Sequence, residues 1–75
     1  MFNLEKLFSQ SYFEVLNRRK IVYPKGDFDG DTMYDFFNEL LRMYNFLAYY
    51  DDEQSVYDQM IINAMLEILD EYDFG

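Results

Sequence analysis

Apolar residues recur at three- and four-residue spacing in three segments of this chain, and that period predicts helices. The first segment follows a capping residue, Asn3, and runs to about Arg19, with Leu4, Leu7, Phe8, Ser11, Val15 and Leu16 on one stripe. From Lys20 to Gly30 the period is lost. Ile21-Val22-Tyr23 reads as extended, Pro24 disfavours helical angles at Tyr23, and Gly26 and Gly30 punctuate a loop. The second segment opens near Asp31, a good N-cap, and carries Met33, Phe36, Phe37, Leu40, Leu41, Tyr44, Leu47 and Ala48 at helical period. Its polar side, Asp35, Asn38, Glu39, Arg42 and Asn45, is narrow, so this helix is expected to be touched on several sides.

Asp51-Asp52-Glu53 breaks the pattern and caps a third helix, with Ser55 and Asp58 as an alternative start. Tyr57, Met60, Ile61, Ala64, Met65, Ile68, Leu69 and Tyr72 read as its inner stripe. Ile62 and Leu66 fall on a flank pointing away from that stripe, a strip open to the first helix, to a partner or to a second copy. The expected fold is all-α: a small three-helix arrangement built around an antiparallel helical hairpin, with an extended loop at about 20–30. Residues 1–75 are expected to form a single helical domain, because the length does not provide two cores.

A chain of 75 residues has only a few kcal/mol of margin from its core, on the order expected for small scaffolds. It has no cysteine for a disulfide or thiolate site and no histidine for metal ligation or acid–base work near neutral pH. No cofactor or metal is expected. Paired carboxylates without a phosphate-cradling loop or a nucleophile–base pair do not make a catalytic site, so no enzyme is expected. The composition is instead 51% hydrophobic and 21% aromatic, more apolar surface than a small domain readily hides. Part of it is expected to face another chain. The opening run Met1-Phe2-Asn3-Leu4-Glu5-Lys6 mixes charges with apolar residues and does not read as a secretory signal. No apolar run approaches the roughly 20 residues of a membrane span, and a cytoplasmic location is expected.

The net charge of −9 is unevenly distributed. Residues 1–26 hold five bases, Lys6, Arg18, Arg19, Lys20 and Lys25, against Glu5 and Glu14, for a net +3. Residues 27–75 hold the other 13 acids and one base, Arg42, for a net −12. Three acidic clusters stand out: Asp27, Asp29 and Asp31; Asp51, Asp52 and Glu53; and Asp70, Glu71 and Asp73. An antiparallel hairpin brings the third cluster beside the first, with the second roughly 30 Å away at the rise of a helix. The first two clusters sit at helix N-termini, where the dipole favours negative charge. The third sits at a C-terminus, where it does not, and a local rule broken without local gain points to function. Arg18, Arg19, Lys20 and Lys25 could partly neutralise that end, through surface pairs worth about 0–1 kcal/mol each.

Such a surface suits a basic protein partner better than nucleic acid or an anionic membrane, which the charge disfavours. Small, acidic, aromatic-rich chains that occupy nucleic-acid-binding clefts have this composition, and many are encoded by phages and other mobile elements as inhibitors. This chain resembles that class in composition. The expected function is therefore protein binding as an acidic, nucleic-acid-mimic inhibitor. Expected contacts are Asp27, Asp29, Asp31, Asp51, Asp52, Glu53, Asp70, Glu71 and Asp73, with Tyr34, Tyr49 and Tyr50 as aromatic anchors. The alternative is a self-associating structural module, a homodimer closing over Ile62 and Leu66.

Asp27-Phe28-Asp29-Gly30-Asp31 opens like a calcium loop, but Thr32 stands where such a loop needs glycine and Asn38 where it needs glutamate. A helix-capping turn fits better. Ile21-Val22-Tyr23, Gly26-Asp27, and then Glu39-Leu40 with Tyr44 are together similar to a stretch of YqgQ-type small bacterial helical proteins; no fold, activity or partner is carried over from it.

Overall fold

The computed structural model describes residues 1–72. The fold is all-α. Four helices follow in order: α1 (Leu4–Leu7), α2 (Gln10–Arg18), α3 (Gly30–Leu47) and α4 (Glu53–Glu71). No strand occurs among the described residues. The expected cap at Asn3 is present, its side chain accepting the Glu5 amide at 3.0 Å. The first helical segment is nevertheless two helices. Phe8 takes extended angles (φ −110°, ψ 146°), and Ser9 restarts the chain as N-cap of α2. The break directs the Phe8 ring into the core, where it meets Tyr12, Phe13 and Phe36 at centroid distances of 5.4, 6.0 and 6.3 Å.

The end of α2 is a Schellman turn. The Lys20 amide donates to the Asn17 carbonyl and the Ile21 amide to the Leu16 carbonyl, with Lys20 itself left-handed at φ 58°. A lysine in that conformation costs about 1–2 kcal/mol relative to glycine. The turn buries Ile21 and sends the chain across α3, where Val22, Tyr23 and Pro24 border a hollow with Thr32, Asp35, Phe36 and Glu39. Gly26 (φ 70°) then supplies a second left-handed residue.

The cap of α3 stands two residues before the expected one: Asp29, not Asp31, is the N-cap and accepts the Thr32 amide at 2.9 Å. α4 is capped by Asp52, which accepts the Ser55 amide at 3.0 Å. The short connection between them folds α3 and α4 into the antiparallel hairpin, tied near that turn by Gln59 Nε2 donating to the Tyr44 carbonyl at 3.3 Å. Helix α2 packs on the first half of α4. Phe2 closes the other end. Its backbone pairs with Phe28 in an isolated antiparallel bridge through two 2.9 Å hydrogen bonds, and its ring contacts Phe28 and Tyr72.

The core is Leu4, Phe8, Val15, Leu16, Ile21, Phe28, Met33, Phe36, Leu40, Leu47, Ile62, Met65 and Leu69. For α4 this corrects the expected face in part: Met65 and Leu69 of the expected stripe are buried, but the face is turned toward Ile62. Ser55, Asp58, Ile62, Met65 and Leu69 are its buried line, whereas Tyr57 and Met60 are exposed. Ile62 is completely buried and Leu66 half-buried, so the flank read as open to the first helix, to a partner or to a second copy belongs to the core, and it offers no surface for self-association. The rotation turns Asp58 toward the two arginines that α2 brings to α4.

The rotation has a direct stability test. Ile62→Ala should cost about 2–4 kcal/mol in chemical denaturation, as buried isoleucine truncations do. Met60→Ala, on the exposed side, should stay within about 0.5 kcal/mol. The reverse order would contradict the observed face.

Candidate functional site

Electrostatics organise this molecule at one buried group. Asp58 has no solvent exposure, yet it is a carboxylate. The last turn of α2 places Arg18 and Arg19 side by side, and both reach it. Arg18 Nη2 donates to Oδ1 at 2.7 Å with Nε at 3.4 Å from Oδ2, and Arg19 Nε donates to Oδ2 at 2.6 Å. Gln54, one turn earlier on α4, adds a donor at 2.9 Å, and Arg19 Nη2 also donates to Ser55 Oγ at 3.3 Å. Every described buried side-chain polar atom has a partner.

Burial is the largest influence on Asp58 and pushes its pKa up. The donated bonds from Arg18, Arg19 and Gln54, with the charge of Arg18, together outweigh it and hold the carboxyl below the ordinary carboxylate range. The hydrogen bond to Asp58 correspondingly raises Arg18. Asp29 and Asp52 are also lowered, each chiefly by the backbone amide it caps, Thr32 and Ser55 respectively.

This grouping was not legible as a site from composition. The sequence left open whether Arg18 and Arg19 reach the Asp70 end; they go instead to the opposite half of α4. The signal was present in the 3-4-3-4 spacing of Ser55, Asp58, Ile62, Met65 and Leu69, which puts two polar residues at the head of an apolar line.

The acidic clusters divide as the hairpin requires. Phe2 touches both Phe28 and Tyr72, so the end of α4, with Asp70 and Glu71, lies at the same end of the molecule as Asp27, Asp29 and Asp31. Asp73 lies outside the described residues. Within this end Asp27 accepts from Asn3 Nδ2 at 2.8 Å and Asp29 is the cap of α3, while Asp31, Asp70 and Glu71 are exposed. Lys6 is the base that borders it, in a hollow shared with Phe2, Asn3, Asp27 and Tyr72. The second patch stands at the α3–α4 turn, about 27 Å away by the length of an 18-residue helix. There Asp52 is spent on capping, and Asp51 and Glu53 are exposed.

The expected aromatic anchors are all exposed: Tyr34 at 55%, Tyr49 at 87% and Tyr50 at 48%. Tyr34 follows Asp31 on the first turns of α3. Tyr49 and Tyr50 precede Asp51, and Tyr50 packs on Phe46 with centroids 5.1 Å apart.

The other bases are also placed. Arg42 pairs with Glu39 at 3.2 Å in an exposed i,i+3 contact, worth about 0–1 kcal/mol. Lys25 lies over the Tyr23 ring at 5.7 Å, and Lys20 borders the hollow containing Asp35 and Glu39. The Asp58–Arg18–Arg19 group carries +1, so the rest of the chain carries −10 of the total −9.

The two sides of the buried group should respond unequally to substitution. Asp58→Asn lets both partly exposed arginines return to water and should cost about 1–2 kcal/mol at pH 7. Arg18→Ala combined with Arg19→Ala leaves a charge in the core and should cost about 3–5 kcal/mol. Equal costs in chemical denaturation would contradict the geometry. The pH dependence has a definite sign. The folded pKa of Asp58 is depressed, so its contribution is complete above the unfolded value near 4 and is lost as pH falls through the folded value. Wild-type stability should fall with acidification below about pH 4, and Asp58→Asn should flatten part of that slope.

Comparison with protein-family models, curated proteins and solved structures gives no match.

Proposed function

We propose that this chain is an acidic protein-binding inhibitor that occupies a basic, nucleic-acid-binding surface of a partner and competes there with nucleic acid. The observation that carries the reading is the destination of the arginines. Two of the six bases are drawn to one buried carboxylate, which leaves −10 on the remaining chain with few cations to offset it. Asp70 and Glu71 support it further. They stand in the last turn of a helix, where the dipole disfavours them, beside three more carboxylates. A cationic partner surface would relieve that repulsion, and exposed tyrosines next to each patch would supply contact area at low entropic cost.

Electrostatic complementarity of this kind governs encounter rate and partner choice, and it weakens with salt. Affinity capture from cell lysate at about 0.1 M salt should recover a basic nucleic-acid-binding protein, and added DNA or RNA should displace it. At about 0.5 M salt, where the Debye length is roughly halved, recovery should be lost. Replacing Asp70 and Glu71 by Asn and Gln should weaken binding to the captured partner by about threefold to thirtyfold, at about 0.7–2 kcal/mol for the pair, with the fold unchanged by circular dichroism. Affinity unchanged by the substitution at low salt would remove these residues from the contact. Capture of the chain by itself, equally at both salts, would favour a self-associating module instead.

A further inference from the structure

α4 carries apolar residues on every side, including the outer one, where they stand among the exposed Glu53, Asn63 and Glu67. Ile62, Met65 and Leu69 face the core, and Ile61, Leu66 and Ile68 are half-buried around them. On the side away from the core stand Val56, Tyr57 and Met60, exposed by 41, 47 and 67%. Met60 is four residues after Val56 and three after Tyr57, so the three side chains are neighbours on one face. α2 covers one side of α4 through the Asp58 group, and α3 covers another through Gln59. Nothing in the chain's described residues covers the third.

The charges around this ridge indicate what does. Glu53 lies one turn before Val56 and Tyr57, and Glu67 two turns after Met60 on nearly the same line, with Glu71 beyond it. No lysine or arginine occurs anywhere in α4. Arg18, which borders a hollow with Tyr57 and Glu53, is committed to Asp58. An apolar ridge closed at both ends by glutamates disfavours a second copy of this chain. Antiparallel pairing would set Glu53 against Glu67 or Glu71, parallel pairing would set Glu53 against Glu53, and each copy already carries −9.

We infer that the outer face of α4, centred on Val56, Tyr57 and Met60, docks a basic amphipathic helix of the partner. Its apolar side lies on the ridge and its lysines or arginines meet Glu53, Glu67 and Glu71. The span from Glu53 to Glu67 is about 21 Å, so the captured helix has about fourteen residues, with apolar positions at helical spacing. The inference rests on the proposed basic partner and names the element of that partner which is held.

The probe is a synthetic amphipathic helical peptide of about fourteen leucines and lysines, with a leucine–glutamate peptide of the same pattern as control. Each is titrated into isotope-labelled protein at about 0.1 M salt and followed by heteronuclear NMR. The lysine peptide should shift amides centred on residues 53–67, and the glutamate peptide should not bind. Replacing Val56, Tyr57 and Met60 together by serine should weaken binding by at least about tenfold, while Asp31→Asn with Asp70→Asn should change it by less than about threefold. These residues are exposed, so both variants should keep the wild-type spectrum elsewhere. Shifts centred instead on Asp27–Asp31 and Asp70, lost only in the Asn variant, would overturn this inference and leave the acidic-surface reading standing. No binding of the lysine peptide to any surface would overturn both. Concentration-dependent shifts of the ridge without peptide would assign the face to a second copy, and overturn the inference too.

Discussion

A carboxylate without solvent stays charged only if donors replace the water it has lost, and Asp58 receives four N–H groups from Arg18, Arg19 and Gln54. Attraction and desolvation nearly cancel in such a group, so its net effect on stability is modest, whereas its effect on position is large. It requires the end of α2 to lie on the first turns of α4. It fixes the rotation of α4, and with it the identity of the core. The Schellman turn at Lys20 follows from the same demand. It stops α2 where both arginines can reach Asp58 and turns Ile21 inward, at the expense of a left-handed lysine.

That interior arrangement shapes the exterior. Two arginines that would otherwise moderate the surface are held at one point, and much of what faces water is carboxylate. Capping disposes of part of the acid content: Asp29 and Asp52 hold helix N-termini and Asp27 holds Asn3. Asp31, Asp51, Glu53, Asp70 and Glu71 are exposed and are the carboxylates most available to a partner. A small domain with one thin core also leaves aromatic and apolar side chains outside, and here they lie close to those acids along α3 and α4.

Periodicity made the all-α class, the hairpin, the Asn3 cap and the capping run Asp51-Asp52-Glu53 readable from the residues alone. Helix α3 was the easiest, because its polar side is narrow and its apolar line long. The break at Phe8–Ser9 was hidden, since Leu4, Phe8 and Ser11 keep helical spacing through it and only packing of the Phe8 ring reveals the change. The face of α4 was misread for a related reason. With apolar residues on every side, its hydrophobicity does not choose a direction, and the choice falls to Asp58, a residue type seldom expected in a core. The gathering of Asp27, Asp29, Asp31, Asp70 and Glu71 at one end followed from topology and was legible. The destination of Arg18 and Arg19 was not, because a pairing across 40 positions leaves no periodic trace.

The account depends on Asp58 being ionised and held by both arginines in the folded chain. The most direct measurement is the NMR titration of the Asp58 side-chain carboxyl carbon across the acid range. A midpoint below the ordinary aspartate value of about 3.9 is predicted, moving upward when Arg18 and Arg19 are replaced by lysine. A midpoint at or above that value in the wild type would mean that burial outweighs the arginines. The donated hydrogen bonds would then be too weak to offset the lost water, which contradicts the account of how α4 is positioned.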